Sequence, residues 1–142
     1  MKRLILSLII VSSLFGCNSD TTDVKQNHEQ ESNLTSLEVV NKRMDFYNRH
    51  DFAEFIKLYA DDVKVYTYPD RLLGTGKDNI ASIFKPKFAD KSIQVEIISQ
   101  MNNGDYVINH EIVTEGGKDK KYVSIYEVKN GLIRSVKFVR DK

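Results

Sequence analysis

The chain has 142 residues, with 21 Lys plus Arg against 20 Asp plus Glu, a formal net charge of +1 and a single cysteine. So even a balance excludes the basic footprint of a nucleic-acid-binding protein, and one cysteine excludes an intramolecular disulfide. The length suits one domain with one core, resting on burial alone.

In chain order, Lys2 and Arg3 come first, followed by an apolar run from Leu4 to Phe15. A dozen helical residues rise about 18 Å, well short of the roughly 30 Å hydrocarbon core, so this is a secretory signal and not a span. Leu14-Phe15-Gly16-Cys17 resembles a bacterial lipobox, with Phe15 as a bulky departure. The resemblance implies that Cys17 is lipidated and becomes the mature N-terminus. An ordinary cleaved signal with an incidental cysteine is the alternative. Residues 1–17 are thus expected to export the protein and anchor it to a membrane of the cell envelope. Residues 18–35 are polar, with only Val24 and Leu34 as large apolar side chains, and read as a flexible tether.

The domain, residues 36–142, opens on Thr35-Ser36-Leu37-Glu38, a capping-box pattern. Leu37, Val40, Met44 and Tyr47 then repeat at helical spacing. Asp51 starts a second helix carrying Phe52, Phe55, Ile56 and Tyr59, which Asp61-Asp62 ends. Val63 to Tyr68 is β-branched and aromatic, hence a strand closed by Pro69-Asp70. Gly74-Thr75-Gly76 leads to a third helix with Ile80, Ile83, Phe84 and Phe88, limited by Pro86. From Ile93 the period becomes two. Four strands, Ile93 to Gln100, Tyr106 to Thr114, Tyr122 to Val128 and Leu132 to Val139, are separated by Asn103-Gly104, Gly116-Gly117 and Asn130-Gly131 hairpin signals. The expected class is α+β, with three N-terminal helices on one face of a curved, mainly antiparallel sheet.

Five segments carry a family resemblance: Tyr47-Asn48-Arg49-His50-Asp51-Phe52, Leu58-Tyr59-Ala60-Asp61-Asp62-Val63, Gly76-Lys77-Asp78-Asn79-Ile80, Gly104-Asp105-Tyr106-Val107, and Ile125-Tyr126-Glu127-Val128 with Gly131-Leu132-Ile133. In this order the chain resembles the nuclear transport factor 2-like superfamily, which includes SnoaL-like and ketosteroid-isomerase-like proteins. The resemblance implies a cone of helices on a bent sheet, a pocket inside the cone, and dimers formed through the outer sheet face. It leaves function open, because such folds serve isomerases, cyclases, hydrolases, dehydratases and plain binders. Steroid isomerases use a carboxylate base, a tyrosine and a protonated acid. A gap-free overlay puts Thr67, Arg43 and Val123 at those positions, so that mechanism is not expected.

The same overlay places Tyr106, Ile108, His110 and Ile112 on the pocket side, with Val123, Ile125, Val136, Phe138 and Arg140. In the alternating stripe Tyr106, Ile108, His110 and Ile112 the histidine is the one strongly polar member, a candidate general base or a histidine satisfied within the core. Arg43 shares a helix face with Tyr47 and, if inward, would hold a carboxylate or other anionic group; Thr67 is a possible polar wall. Glu111 is expected on the face opposite His110, so the two form no dyad. No histidine pair has metal-ligand spacing, and no cofactor is implied. Asp51, Asp61 and Asp62 sit at expected helix ends, where carboxylates cap backbone donors. The leading expectation is a membrane-anchored domain binding a small apolar or amphipathic molecule in the cone. The alternatives are a SnoaL-like enzyme using His110 as base, and an envelope protein-interaction module. A homodimer is expected through Val107, Val113, Tyr122, Tyr126 and Val128, read as an outward apolar set.

Overall fold

The computed structural model describes residues 34–140; the signal, Cys17 and nearly all of the tether lie outside the described residues. Helix α1 (Ser36–Arg49) begins in the expected capping box: Thr35 Oγ1 accepts from the Glu38 amide, and the Glu38 carboxylate accepts from the Thr35 amide at 2.8 Å. Val39, Val40, Arg43, Met44 and Tyr47 form its buried face. His50 ends the helix with a positive φ, and its Nε2 lies 3.0 Å from the Ile93 carbonyl oxygen.

Helix α2 (Phe52–Lys57) is capped by Asp51 and is shorter than expected, because the chain enters β1 (Tyr59–Thr67) almost at once. Asp61 and Asp62 are therefore exposed strand residues. They pair with Lys77 and Arg134, each at 2.9 Å. An additional short strand, β2 (Arg71–Thr75), folds back on β1. Its exposed, irregular pattern gave no period-two signal. Helix α3 (Lys77–Ala89) runs through Pro86 and continues for another three residues.

Strands β3 (Gln94–Asn103), β4 (Tyr106–Glu115), β5 (Lys118–Lys129) and β6 (Leu132–Arg140) form the expected meander. The sheet order is β2-β1-β6-β5-β4-β3, with only β1 and β6 parallel. Gly116-Gly117 and Asn130-Gly131 all have positive φ, the backbone of tight hairpin turns that match strand twist. The Ser36 hydroxyl donates to the Gly104 carbonyl at 2.8 Å, pinning the start of α1 to the β3–β4 hairpin. Asn48 fastens α1 to β3 by exchanging two hydrogen bonds with the Val95 backbone.

The core lies between the helices and one sheet face. Phe55 is central: its ring centroid is 4.9 Å from Phe88, 5.1 Å from Phe84 and 5.2 Å from Tyr59. Stacking of this density makes the helix side of the cone a rigid aromatic wall.

The register corrects the expected sheet faces on β4 and β5. Val107, Asn109 and Glu111 are buried beneath the helices, opposite Tyr126, Ser124 and Tyr122 of β5. Tyr106, Ile108, His110 and Ile112 therefore point away from the helices, as do Val123 and Ile125. Both faces carry apolar side chains, so alternation alone did not say which one meets the helices. On β6 Val136 does face inward, but it is buried against Val65 and Tyr126 and does not line the cavity described below.

Candidate functional site

Between α1, α3 and the inward sheet face lies a cavity of about 150 Å³. Arg43, Tyr47 and Phe84 line it from the helices, and Val65, Val95, Val113 and Phe138 line it from the sheet. Leu73, Ile83, Lys87, Glu115, Tyr122 and Arg140 complete the lining. Glu115 and Arg140 close their strands, so this is the end of the cone marked by the β4–β5 hairpin, away from the Ser36–Gly104 contact.

Two charged side chains line this cavity while almost wholly withdrawn from water: Arg43 is 4% exposed and Glu111 2%. Arg43 Nε donates to Tyr59 Oη at 2.7 Å, and Nη1 lies 3.2 Å from Met44 Sδ. The guanidinium carbon sits 5.2 Å from the ring centres of Phe55 and Tyr126, and 5.7 Å from those of Tyr47 and Phe84. Such an aromatic cage compensates part of a buried cation's lost hydration. Burial by itself lowers the guanidinium's proton affinity. Tyr126, Tyr59 and Glu111, with the Tyr59 hydrogen bond, more than reverse this and raise it above arginine's usual value.

Glu111 is held from two sides. Ser124 Oγ donates to Oε1 at 2.6 Å, and Asn109 Nδ2 donates to Oε2 at 3.3 Å. Asn109 in turn accepts from Gln100 Nε2 at 2.9 Å, and the same nitrogen donates to Asn41 Oδ1 at 3.0 Å. This chain of side chains orients the carboxylate from β3 and α1 inward. Burial pushes the Tyr47 hydroxyl up to about 12, with Arg43 opposing and Glu115 and Glu111 assisting. It is therefore a neutral donor and acceptor at physiological pH. Burial also drives Tyr126 well above its usual value.

At the mouth, Lys87 of α3 pairs with Glu115 Oε1, and Lys120 reaches Oε2 at 3.2 Å. Hydrogen bonding from Lys87, aided by Lys120, holds the Glu115 carboxyl below its usual range despite an opposing burial effect. A larger hollow of about 520 Å³ lies on the outer sheet face. Four of its charged side chains are engaged in ion pairs: Arg134 pairs with Asp62 at 2.9 Å and Lys137 with Asp70 at 2.7 Å.

The expected site residues divide accordingly. Arg43, Tyr47 and Phe138 line the cavity, as does Arg140. Val136 faces inward but is packed into the core. Thr67 is half-buried beside Phe138, donating to its carbonyl at 3.4 Å, outside the cavity lining. Tyr106, Ile108, His110, Ile112, Val123 and Ile125 are on the outer face, with His110 exposed and Tyr106 46% exposed. On β4 and β5 the inward positions are the sequence neighbours of the expected ones. His110 therefore does not face the cavity, and Glu111, on the opposite face of the strand, does. The outward set expected for the dimer is corrected by the same step, since Val107, Tyr126 and Val128 belong to the core and Val113 and Tyr122 line the cavity. A signal for Glu111 was present: an arginine on the buried stripe of α1 calls for an anionic residue on the facing sheet.

No group of three or more His, Cys, Asp or Glu side chains capable of holding a metal occurs among the described residues. No helix there is long and apolar enough to cross a membrane.

A family model for the SnoaL-like domain matches residues 40–136, and the chain belongs to that family. Solved structures of the same fold include a cystatin-fold protein from Novosphingobium aromaticivorans, 23% identical with a TM-score of 0.69, covering 75% of this chain and 99% of that one. A protein provisionally named a ketosteroid isomerase, from Kribbella flavida, is 20% identical with a TM-score of 0.65, covering 75% and 78%. One provisionally named a polyketide cyclase, from Pseudomonas putida, is 17% identical with a TM-score of 0.61, covering 76% and 92%. At these identities the likeness establishes the fold. No curated protein matches the chain.

Proposed function

We propose that this SnoaL-like domain binds a small, largely apolar molecule in its cone and that Arg43 holds the molecule's polar end. The observation that carries the reading is a buried guanidinium lining a cavity whose other walls are mostly aromatic and aliphatic. Ligand pockets commonly combine such walls with a few placed polar groups. A volume of about 150 Å³ suits a ligand near the size of one benzene ring. Native mass spectrometry of the purified protein is expected to find a co-purifying small molecule that Arg43→Met no longer retains. A preparation free of any such molecule, and showing no thermal stabilisation by a fragment library, would sink the reading.

Glu111 favours a second reading, an enzyme moving a proton next to a carbonyl. Arg43 would hold the carbonyl oxygen as charge develops there, and Glu111 would take the proton. Hydrogen–deuterium exchange at the α-carbon of a bound carbonyl compound tests it. Exchange unaffected by Glu111→Gln would remove this role.

The reading includes export and lipid anchoring through Cys17, at the envelope surface. The chain enters α1 beside Gly104, at the end of the cone opposite the cavity mouth. Labelling with a clickable fatty acid, lost in Cys17→Ser, is the expected result; unlabelled wild-type protein would contradict it. Homodimerisation belongs to the same reading, through the outer face that carries Ile108, Ile112, Val123 and Ile125.

A further inference from the structure

Resting on the proposed binding function, we infer that the preferred ligand carries no net charge and presents a hydrogen-bond acceptor beside a donor, as a primary carboxamide does. Three observations lead there. First, Arg43 has spare donors. Nε is used by Tyr59, Nη1 meets only a thioether sulfur, and no oxygen accepts from either terminal nitrogen among the described residues. Second, Glu111 lines the same cavity. Both of its oxygens accept hydrogen bonds, from Ser124 and Asn109, which is how an ionised carboxylate is satisfied. An oxygen with two lone-pair sites retains capacity for one more donor. Third, no ion pair within 4.0 Å joins Arg43 to Glu111 among the described residues. Their charges balance across the cavity without consuming each other's hydrogen-bonding groups.

A carboxylate entering this space gains Arg43 but brings a second negative charge near Glu111, where the low dielectric makes like charges costly. An amidinium gains Glu111 and meets Arg43 in the same way. A hydrocarbon leaves the terminal nitrogens of Arg43 and the remaining acceptor sites of Glu111 unfilled. A carboxamide offers its oxygen to Arg43 and its N–H to Glu111 and disturbs neither balance. The mouth cations Lys87 and Arg140 are partly solvated, so screening weakens their pull on an anion held deeper in the cavity.

Four probes of nearly one shape decide the matter: benzamide, benzoate, benzamidine and toluene, titrated calorimetrically into the full-length protein. Benzamide is expected to bind about tenfold or more tightly than each of the others, the size of one hydrogen bond to a charged group. Glu111→Gln removes the negative charge while keeping the shape, and is expected to move the preference from benzamide to benzoate. Should that variant not fold, the ranking on the unaltered protein is decisive by itself. Benzoate or benzamidine binding tightest would overturn the inference while leaving a polar ligand on the cavity charges. Toluene binding as well as benzamide would overturn it and also remove Arg43 from the binding reading. None of the four binding at millimolar concentration would overturn the inference together with the proposed function.

Discussion

A guanidinium that is 4% exposed stays in a protein interior only where its lost hydration is replaced. Around Arg43 the replacements are the Tyr59 hydroxyl, four aromatic faces and the field of Glu111. Removing the cation alone strands Glu111 in a low-dielectric site. Arg43→Met is therefore expected to destabilise the fold by about 3 kcal/mol, the cost typical of leaving one buried charge uncompensated. The double variant Arg43→Met/Glu111→Gln is expected to be less damaging than the sum of the two single changes. Urea denaturation of all four proteins checks this, and simple additivity would show that the two side chains do not interact. At His110 the expectation is the reverse. Exposed on the outer face of the single chain, it can be changed to alanine with an effect on the stability of the monomer within about 0.5 kcal/mol, as for ordinary surface positions, and with ligand retention unchanged in native mass spectrometry.

Among the elements, α1 carries the most consequence, because it brings Arg43 and Tyr47 to the cavity and fixes β3 through Asn48. Its register is set at its start by the Thr35–Glu38 box. Thr35→Ala is expected to cost about 1 kcal/mol, read as a lower urea midpoint with an unchanged m-value. Helix α3 meets the β4–β5 end of the sheet through Lys87 and Glu115. With its folded-state pKa held below the usual 4.5, Glu115 adds stability that is present above that value. The contribution is lost as pH falls through the depressed folded value. The melting temperature should accordingly drop on acidification below about pH 4.5, and Glu115→Gln should flatten that drop. An equally steep acid limb in the variant would assign the effect to other carboxylates, such as Glu127, which Lys129 and Ser135 hold down in the same way.

For the whole molecule, the outer sheet face is the open question of assembly. Ile108 opposes Ile125, and Val123 opposes His110, while Ile98 and Met101 on β3 are 48% and 59% exposed. Apolar side chains in such density on a solvent face fit a partner surface. A second copy packed sheet to sheet would reach the roughly 1,200–2,000 Å² of a stable interface only if most of this face is covered. Light scattering is expected to report a dimer at micromolar concentration that Ile108→Glu converts to a folded monomer. A monomeric wild-type protein would leave this face for a different partner.

The order of elements was legible in the sequence because each has a local cause. The Thr35–Glu38 box starts α1, the 3.6-residue stripes mark the helices, and Gly116-Gly117 and Asn130-Gly131 supply the positive φ that tight hairpins need. The family followed from that order. Arg43 and Tyr47 were legible as cavity candidates because one helix face is buried and the other is wet. The sheet was different. Val107, Asn109, Glu111 and Val113 alternate with Tyr106, Ile108, His110 and Ile112, and the second set is the more apolar of the two. Period-two alternation defines two faces without saying which is covered. The buried face of this sheet tolerates Asn109, Glu111 and Ser124 because they hydrogen-bond one another and because the charge of Arg43, carried in from α1, offsets that of Glu111, an arrangement only the tertiary structure assembles.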